Sequence, residues 1–479
     1  MIALESFGHS LRQCFGNSVI PDKLMIALSG GVDSVCLAYL LTKYREIYHP
    51  KLQISAITVD HRYRDGSTEE AKSIGSMVSE WGIDHHIHTL NYGNLSSGNI
   101  SNFEEVARMK RYEGFQSTCN KLDISALLVA HNFDDQLETY MQRVQQNSTV
   151  FGLTGLKRNS LIPLQATSPF TAHPPISVIR PLLDYSKKDI IATCEDNGVT
   201  WFEDHTNKDI SLTDRNLYRY LLNDYIPKKL EVNPDSDLKL IDRASLTSGY
   251  NQAVDLAHYA HKQVEYLNTK LESNIEILPE HSMIKLSMEP SDINDNGPLV
   301  LGRFFYELMY PISPSKNYHW SFSKILNNFI PRLLDFIASD KPSAKFTYLN
   351  VLMDIKKHQD LIHIKFTRQP IIRLDVSEIK QSFNSSHLHQ WILFDRRYWL
   401  YFKAQHQDIN DIEILPYEPK LHRKLLIDQF GDRKVPKKIT PGTPIILVNK
   451  EYYALPTFNL SPSVIDIEWA LKDNIYHYK

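Results

Sequence analysis

The feature that most constrains the fold is a regular alternation of short apolar runs and helix-length amphipathic stretches that continues to residue 198. Apolar runs fall at 24–28, 54–59, 86–90, 124–130 and 176–179, and each is followed by a stretch long enough to be a helix. Strands that alternate with helices pair in parallel, because a parallel connection needs a crossover, and the helices then cover both faces of the sheet. Between 68 and 81, Ala71, Ile74, Val78 and Trp81 form one helical stripe that Gly82 stops. Ser186 and Asp189 make a capping-box start for a helix that Gly198 ends. The stretch 159–177, with Pro163, Pro169, Pro174 and Pro175, reads as a long loop. The expected fold class is α/β with a doubly wound parallel sheet. In such sheets ligands gather beyond the carboxyl ends of the strands, so residues just after a strand are the first candidates for chemistry.

Beyond Pro227 the alternation disappears. Residues 233–237 look like a linker, 253–271 and 297–338 look helical, and from 345 onward short β-like runs such as 361–366 and 444–448 dominate. The expected organisation is a nucleotide-binding catalytic domain at 1–230, a helical connecting domain at 231–344 and a smaller mixed α/β C-terminal domain at 345–479. Composition narrows the class. With 42% hydrophobic and 23% charged residues the chain is neither a disordered tail nor a membrane protein, and no apolar run has transmembrane length. A net charge of -3 means any nucleic-acid binding must come from local basic patches. Cys14, Cys36, Cys119 and Cys194 lie far apart with no CxxC pair, which argues against a zinc knuckle, an iron–sulfur cluster or a disulfide framework and fits a reducing compartment. At the N-terminus Leu4, Phe7, Leu11 and Phe15 recur at helical spacing around Glu5 and Arg12, an amphipathic helix rather than a secretory signal. The expected location is the cytoplasm for a bacterial source, with the mitochondrial matrix open for a eukaryotic one.

Four clusters carry the chemistry. Ser29, Gly30, Gly31, Val32, Asp33 and Ser34 join the first strand to the first helix. Two glycines let backbone N–H groups approach an anion, the helix N-terminus favours negative charge, and Asp33 could hold magnesium through oxygen. No GK[ST] ending follows, so this is not a Walker A loop. Asp60 and His61 fall at the carboxyl end of the second strand. Arg108 and Arg111, three apart, can both project from one helix face toward phosphates. His131 opens the stretch after the fourth strand, and Asp134, Asp135 and Glu138 gather carboxylates on one helix face, able to bind an amino group, a magnesium ion, or both.

The hexapeptide 29–34 resembles the signature of the PP-loop ATP pyrophosphatases, which cleave ATP between its α and β phosphates. Three further stretches resemble one branch of that superfamily, the tRNA(Ile)-lysidine synthetases. They are Val59-Asp60-His61-Arg62-Tyr63-Arg64-Asp65-Gly66-Ser67 with Glu70-Ala71, Asn102-Phe103-Glu104 with Ala107-Arg108 and Arg111-Tyr112, and the stretch 131–139, which matches HxxDDxxET at every fixed position. Arg180-Pro181-Leu182-Leu183, then Glu203-Asp204-His205-Thr206-Asn207, then Arg215-Asn216 and Arg219 follow the order RPLL…EDxSN…RNxxR. Phe394-Asp395-Arg396-Arg397-Tyr398-Trp399-Leu400 and 423–456 resemble the last domain of that family. One stretch departs: the family's RGSG turn is replaced by Gln146-Asn147-Ser148-Thr149 before Gly152-Leu153. Asn147 can take the positive φ of a glycine, whereas Gln146 cannot supply a fixed positive charge.

The resemblance implies ATP and Mg2+ as cofactors, and tRNA(Ile) with a CAU anticodon and free L-lysine as partners. The C2 oxygen of the wobble cytidine is adenylated, and the ε-amine of lysine then displaces AMP to give lysidine. It implies Ser29 to Ser34, Asp60 and His61 as nucleotide ligands, with Asp33 at the metal. Asp33, Asp134, Asp135 and Glu138 would carry the chemistry. Arg108, Arg111, His131, Asp204, Asn207, Arg215, Asn216 and Arg219 would meet the RNA substrate. Between Lys420 and Lys438 seven Lys/Arg oppose two Asp, a local charge of +5, so Arg423, Lys424, Lys434 and Lys437 are expected to hold tRNA phosphates. A homodimer stays open. Another PP-loop tRNA-modifying enzyme and a tRNA-binding protein without catalysis are the alternatives. Thiolases of the 2-thiocytidine type need cysteine pairs, absent here, and the intact carboxylates argue against lost catalysis.

Overall fold

The computed structural model describes residues 1–60, 67–90, 103–162, 176–202, 214–315, 322–384, 388–404, 409 and 411–472. They form two compact units, Met1–Ala257 and His258–Lys479.

The first unit runs α1 (Leu4–Phe15), β1 (Lys23–Ala27), α2 (Val32–Tyr48), β2 (Gln53–Asp60), α3 (Ser67–Ser79), β3 (Asp84–Thr89), α4 (Phe103–Leu122), β4 (Ala126–Leu128), α5 (Phe133–Gln145), α6 (Val150–Leu153), β5 (Asn159–Leu161), β6 (Ser177–Ile179), α7 (Lys187–Asp196), α8 (Asp214–Tyr220), α9 (Ile226–Val232) and the start of α10 (Arg243–Leu271). Its sheet has the order β3-β2-β1-β4-β6-β5, parallel except for β5. The doubly wound sheet expected from the alternation is therefore present. The stretch expected to be one long loop contributes β5, an antiparallel edge strand paired through Ser160 with Val178. Three residues are too few to show a period of two, which is why the sequence hid it.

Alternation along β1 explains the layers. Leu24 and Ile26 pack with Phe7 and Leu11 of α1, Val35 and Leu37 of α2 and Ile190 of α7. Met25 points the other way, to Tyr112, Phe115 and Cys119 of α4. The sheet is thus buried on both faces, as parallel sheets are. All four cysteines are free and buried. The strand order turns back between β1 and β4, so the segments that leave those two strands flank a topological switch point. Among the described residues no helix is long and apolar enough to cross a membrane.

The second unit differs from the expected division into a helical part at 231–344 and a β-containing part from 345. Strands β7 (Ile275–Leu278) and β8 (Met283–Met288) lie in the same antiparallel sheet as β9 (Ser343–Tyr348), β10 (Val351–His358) and β11 (Leu361–Arg368), in the order β7-β8-β11-β10-β9. Ile284, Leu286 and Met288 face the core that Phe304, Phe305 and Phe329 fill, so the helices between β8 and β9 cover this sheet rather than forming a separate body. The boundary near 230 also moves, because α10 begins in the first unit and continues into the second. Two further sheets follow: β12 (Gln381–Phe383), β15 (Ile412–Pro416), β16 (Pro444–Val448) and β17 (Tyr452–Ala454) in that order, and β13 (Trp391–Phe394) and β14 (Tyr398–Ala404) followed by β18 (Ile465–Leu471). The hairpin from β13 to β14 turns on Asp395 and Arg396, both at positive φ. The buried Asp395 carboxylate accepts from Arg397 Nε at 2.7 Å and from Arg368 Nε of β11 at 3.2 Å.

Candidate active site

The loop after β1 is shaped by its glycines and serines. Gly30 sits at φ +83, and a Cβ there would lie 2.3 Å from Ile74 Cδ1, so only glycine fits this turn. Ser34 Oγ donates to Gly31 O at 3.0 Å and accepts from Ser29 N at 3.2 Å, which closes the loop onto the first turn of α2. Phe202 N donates to Gly30 O at 3.0 Å. Asp33 lies in that first turn, where its charge suits the helix dipole.

The segment after β4 starts α5 with a full capping box. Asn132 Oδ1 accepts from Asp135 N at 3.1 Å, and Asp135 Oδ2 accepts from Asn132 N at 2.8 Å. The same Asn132 side chain donates through Nδ2 to Asp33 Oδ1 at 3.0 Å, so one buried amide ties the phosphate-type loop to the carboxylate helix. Asn132 is not among the site residues that the sequence singles out. Its one signal there is a position directly before a helix with Asp three residues on.

Each carboxylate of this site faces a cation from another element. Lys187 Nζ at the start of α7 lies 2.5 Å from Asp33 Oδ2, and Lys187 N donates to Asp134 Oδ2 at 2.8 Å. Arg243 Nη1 of α10 donates to Asp134 Oδ1 at 2.7 Å. Arg215 of α8 pairs with Asp135 and donates through Nε to Glu138 Oε2 at 2.8 Å, while Arg219 Nε donates to Glu138 Oε1 at 2.9 Å. The carboxylate face expected on α5 is present, but it is not bare. Arg215 and Arg219, expected to meet the RNA substrate, here engage carboxylates. Burial pushes the Asp134 carboxyl up, but Arg243 and the Lys187 N–H outweigh it and hold it below the usual range. Burial wins at Glu138, whose side chain is 3% exposed, and raises its carboxyl despite Arg219 and Arg215. Glu138 therefore acts as the anchor of two arginines, while Asp134 and Asp135 keep 14% and 13% of their side chains open.

His131 accepts a hydrogen bond at Nδ1 from Arg180 Nε at 3.3 Å. Burial first, then the charges of Arg180, Arg215 and Arg108, push its imidazole down to about 4, against Asp135. It is neutral at physiological pH, a proton-bearing Nε2 among cations. Arg180 is itself buried and donates to Lys157 O at 2.8 Å and Ser160 Oγ at 3.0 Å. On α4, the exposed Arg108 and the half-buried Arg111 both lie over the Tyr112 ring, at 5.5 and 5.8 Å.

The remaining candidates spread out. Asp60, buried at the end of β2, accepts from Thr68 Oγ1 at 2.7 Å. Asn216 sits on α8. His61, Asp204 and Asn207 lie outside the described residues. In place of the RGSG turn, Asn147 adopts φ +51, the conformation expected of it, and Ser148 N donates to Arg143 O at 2.9 Å. Gln136 holds the chain beyond this turn, donating to Leu156 O at 2.8 Å and accepting from Leu156 N at 2.7 Å. Lys187 and Arg243 escape a reading of the sequence. Lys187 merely follows a helix cap, and Arg243 falls beyond the apparent linker, where nothing in the sequence links it to Asp134. In the second unit, the helix Pro419–Phe430 and the loop after it present Lys420, Lys424, Arg433, Lys434, Lys437 and Lys438 to solvent. Arg423 instead donates to Pro436 O at 3.0 Å and Lys437 O at 3.2 Å, stapling that loop. Among the described residues no three His, Cys, Asp or Glu side chains gather to hold a metal ion.

A strand-order switch point with a Ser-Gly-Gly loop on one side and a charged helix start on the other is where open α/β sheets take their ligands. Residues 4–226 match the family model of the PP-loop domain. The chain's sequence relatives include tRNA(Ile)-lysidine synthases, which bears out the resemblance carried by the motifs. The chain is 30% identical over 263 residues to the tRNA(Ile)-lysidine synthase of Rickettsia bellii, covering 53% of this chain and 56% of that one. It is 35% identical over 211 residues to the probable tRNA(Ile)-lysidine synthase of Schizosaccharomyces pombe, covering 44% and 46%. With that of Staphylococcus aureus strain MRSA252 it shares 31% over 250 residues, covering 51% and 52%. The chain thus spans about half the length of the curated relatives it matches.

Proposed function

We propose that the protein is a tRNA(Ile)-lysidine synthetase that uses ATP to attach lysine to C2 of the wobble cytidine, position 34, of tRNA(Ile) with a CAU anticodon. The observation that carries this reading is the link between Asp33 and the α5 carboxylates through Asn132, which sets the Ser-Gly-Gly loop and a carboxylate-bearing helix start side by side. In the first step the cytidine O2 attacks the α-phosphorus of ATP, an O–P bond forms and pyrophosphate leaves. In the second the lysine ε-amine attacks C2, the C2–O bond breaks and AMP leaves with the oxygen.

The loop 29–34 would cradle the phosphates with its N–H groups. A magnesium ion bound to the phosphates needs only one or two protein carboxylates, and Asp33, 30% exposed in the first turn of α2, fits as that single ligand. Bound there it would offset charge on the leaving pyrophosphate. An ammonium near pKa 10.4 must lose a proton before it attacks. Asp134, held anionic, suits binding the lysine ammonium, and the neighbouring Asp135 suits accepting its proton. Arg108 and Arg111 suit phosphate or the flipped cytidine. The exposed lysines at 420–438 suit the tRNA backbone. The test is incubation with tRNA(Ile2) transcript, ATP and labelled lysine, followed by nucleoside analysis. Labelled lysidine with stoichiometric AMP is expected, and binding of the tRNA with no AMP release would favour a non-catalytic tRNA-binding protein.

A further inference from the structure

The phosphate-type loop has no lysine of its own, yet it has a lysine beside it. Lys187 is contributed by α7, more than 150 residues along the chain from the loop it meets. Its ammonium lies 2.5 Å from Asp33 Oδ2 with 40% of its side chain open to solvent, so it can turn away without unpacking the core. Its backbone N–H stays occupied by Asp134 at 2.8 Å, an anchor that does not depend on the side chain. The residue therefore has a fixed root and a mobile charge, next to the loop where a triphosphate would bring several negative charges. A triphosphate outbids one carboxylate for an ammonium by charge alone, and Lys is well suited to phosphate as a compact point charge.

We propose that Lys187 is a substrate-binding residue that trades Asp33 for the pyrophosphate portion of ATP. This rests on the ATP-dependent reading above and adds a residue to it. The exchange makes two changes at once: the leaving group gains a cation, and the Asp33 carboxylate loses its competitor for magnesium. No covalent bond changes in the exchange.

The test uses the full-length protein and titrates ATP, inorganic pyrophosphate and AMP separately by calorimetry at fixed magnesium. In Lys187→Met the affinities for ATP and pyrophosphate are expected to fall about tenfold or more while AMP binding is unchanged, and Lys187→Arg should recover part of the loss. The same comparison in an Asp33→Asn background separates the two roles of the lysine. If Lys187 only neutralises Asp33, then Asp33→Asn and the double variant bind ATP equally, and the proposal is overturned. Equal loss of AMP and ATP affinity in Lys187→Met would also overturn it, since that reports a displaced helix rather than a missing phosphate ligand. Wild-type protein that binds no ATP would sink the underlying reading as well. Wild-type protein that binds ATP while Lys187→Met matches it would sink this inference alone.

Discussion

Gly30→Ala tests whether the loop after β1 is built as described. Two costs add. An L-residue forced to φ +83 loses about 1–2 kcal/mol to the clash of its Cβ with its own backbone. The new methyl would also stand 2.3 Å from Ile74 Cδ1 and 3.0 Å from Cγ1. Ile74 is buried in the core under α2, so relief requires an off-rotamer side chain or a shifted helix, a further 1–3 kcal/mol or so by the usual cost of overpacking. A loss of about 3 kcal/mol lowers the melting temperature of a unit this size by roughly 6–12 °C, at about 2–4 °C per kcal/mol. Gly31→Ala is the internal control. Gly31 has φ -69, and its added Cβ would meet only Ser29 Oγ, at 3.7 Å, so any loss should stay within the roughly 1 kcal/mol that a poorer N-cap costs. Differential scanning calorimetry of the two variants reads the contrast directly. Ile74→Val supplies the second arm, because it deletes Cδ1. Alone it should cost about 0.5–1.5 kcal/mol, but in the Gly30→Ala background it should cost less or stabilise. Equal melting of Gly30→Ala and Gly31→Ala, or additive behaviour with Ile74→Val, would refute the close approach of loop and helix.

Asp134→Asn and Asp135→Asn should cut lysine incorporation, with at least one of them sparing ATP–pyrophosphate exchange; two variants with wild-type lysidine formation would reduce the carboxylate pair to a helix-capping feature. Asp395→Asn leaves the buried Arg397 and Arg368 guanidinium groups without their shared anion and should destabilise the second unit by about 3–5 kcal/mol, read by denaturant titration. His131 has a folded pKa depressed to about 4 from the usual 6.5, so the unfolded chain binds the extra proton between those values. Its contribution, at most about 3 kcal/mol, is complete above pH 6.5 and is lost as pH falls toward 4, and His131→Gln should flatten the stability profile in that window. Reversing Lys420, Lys424, Lys434 and Lys437 should weaken tRNA binding and lower the log–log salt slope by roughly 0.7–0.9 for each phosphate left without its cation, with ATP affinity unchanged; an unchanged slope would remove this stretch from the tRNA-binding surface.

The alternation of apolar runs and helices is enough to read the sheet of the first unit, because β1 to β4 each lie between helices whose stripes and caps are local. Gly30 and Asn147 are legible for the same reason: a strand–glycine turn and a residue tolerant of positive φ are properties of a few neighbours. The cap that Asn132 makes is equally local, but its bond to Asp33 spans 99 positions and leaves no trace in either stretch. The second unit is harder. Lys285 and Lys365 face one another across β8 and β11 although 80 positions separate them, and no local pattern reports such a pairing. The helices between β8 and β9 then mask a single sheet as two domains.

The cations of the site fall in the same class as those strands. Asp134 and Glu138 announce themselves by spacing on one helix, but what each can do depends on Arg243 and Arg219, 109 and 81 positions away. A carboxylate that is itself 3% exposed and held by two guanidinium groups serves structure, and one that is 30% exposed beside a solvent-facing ammonium can be handed to a ligand. By that criterion Glu138, closed over by two arginines, holds the site together, whereas Asp33, opposite the half-open Lys187, is the carboxylate free to change partners. Spacing alone ranks these acids as equals. The chain that folds back from α7, α8 and α10 is what tells them apart.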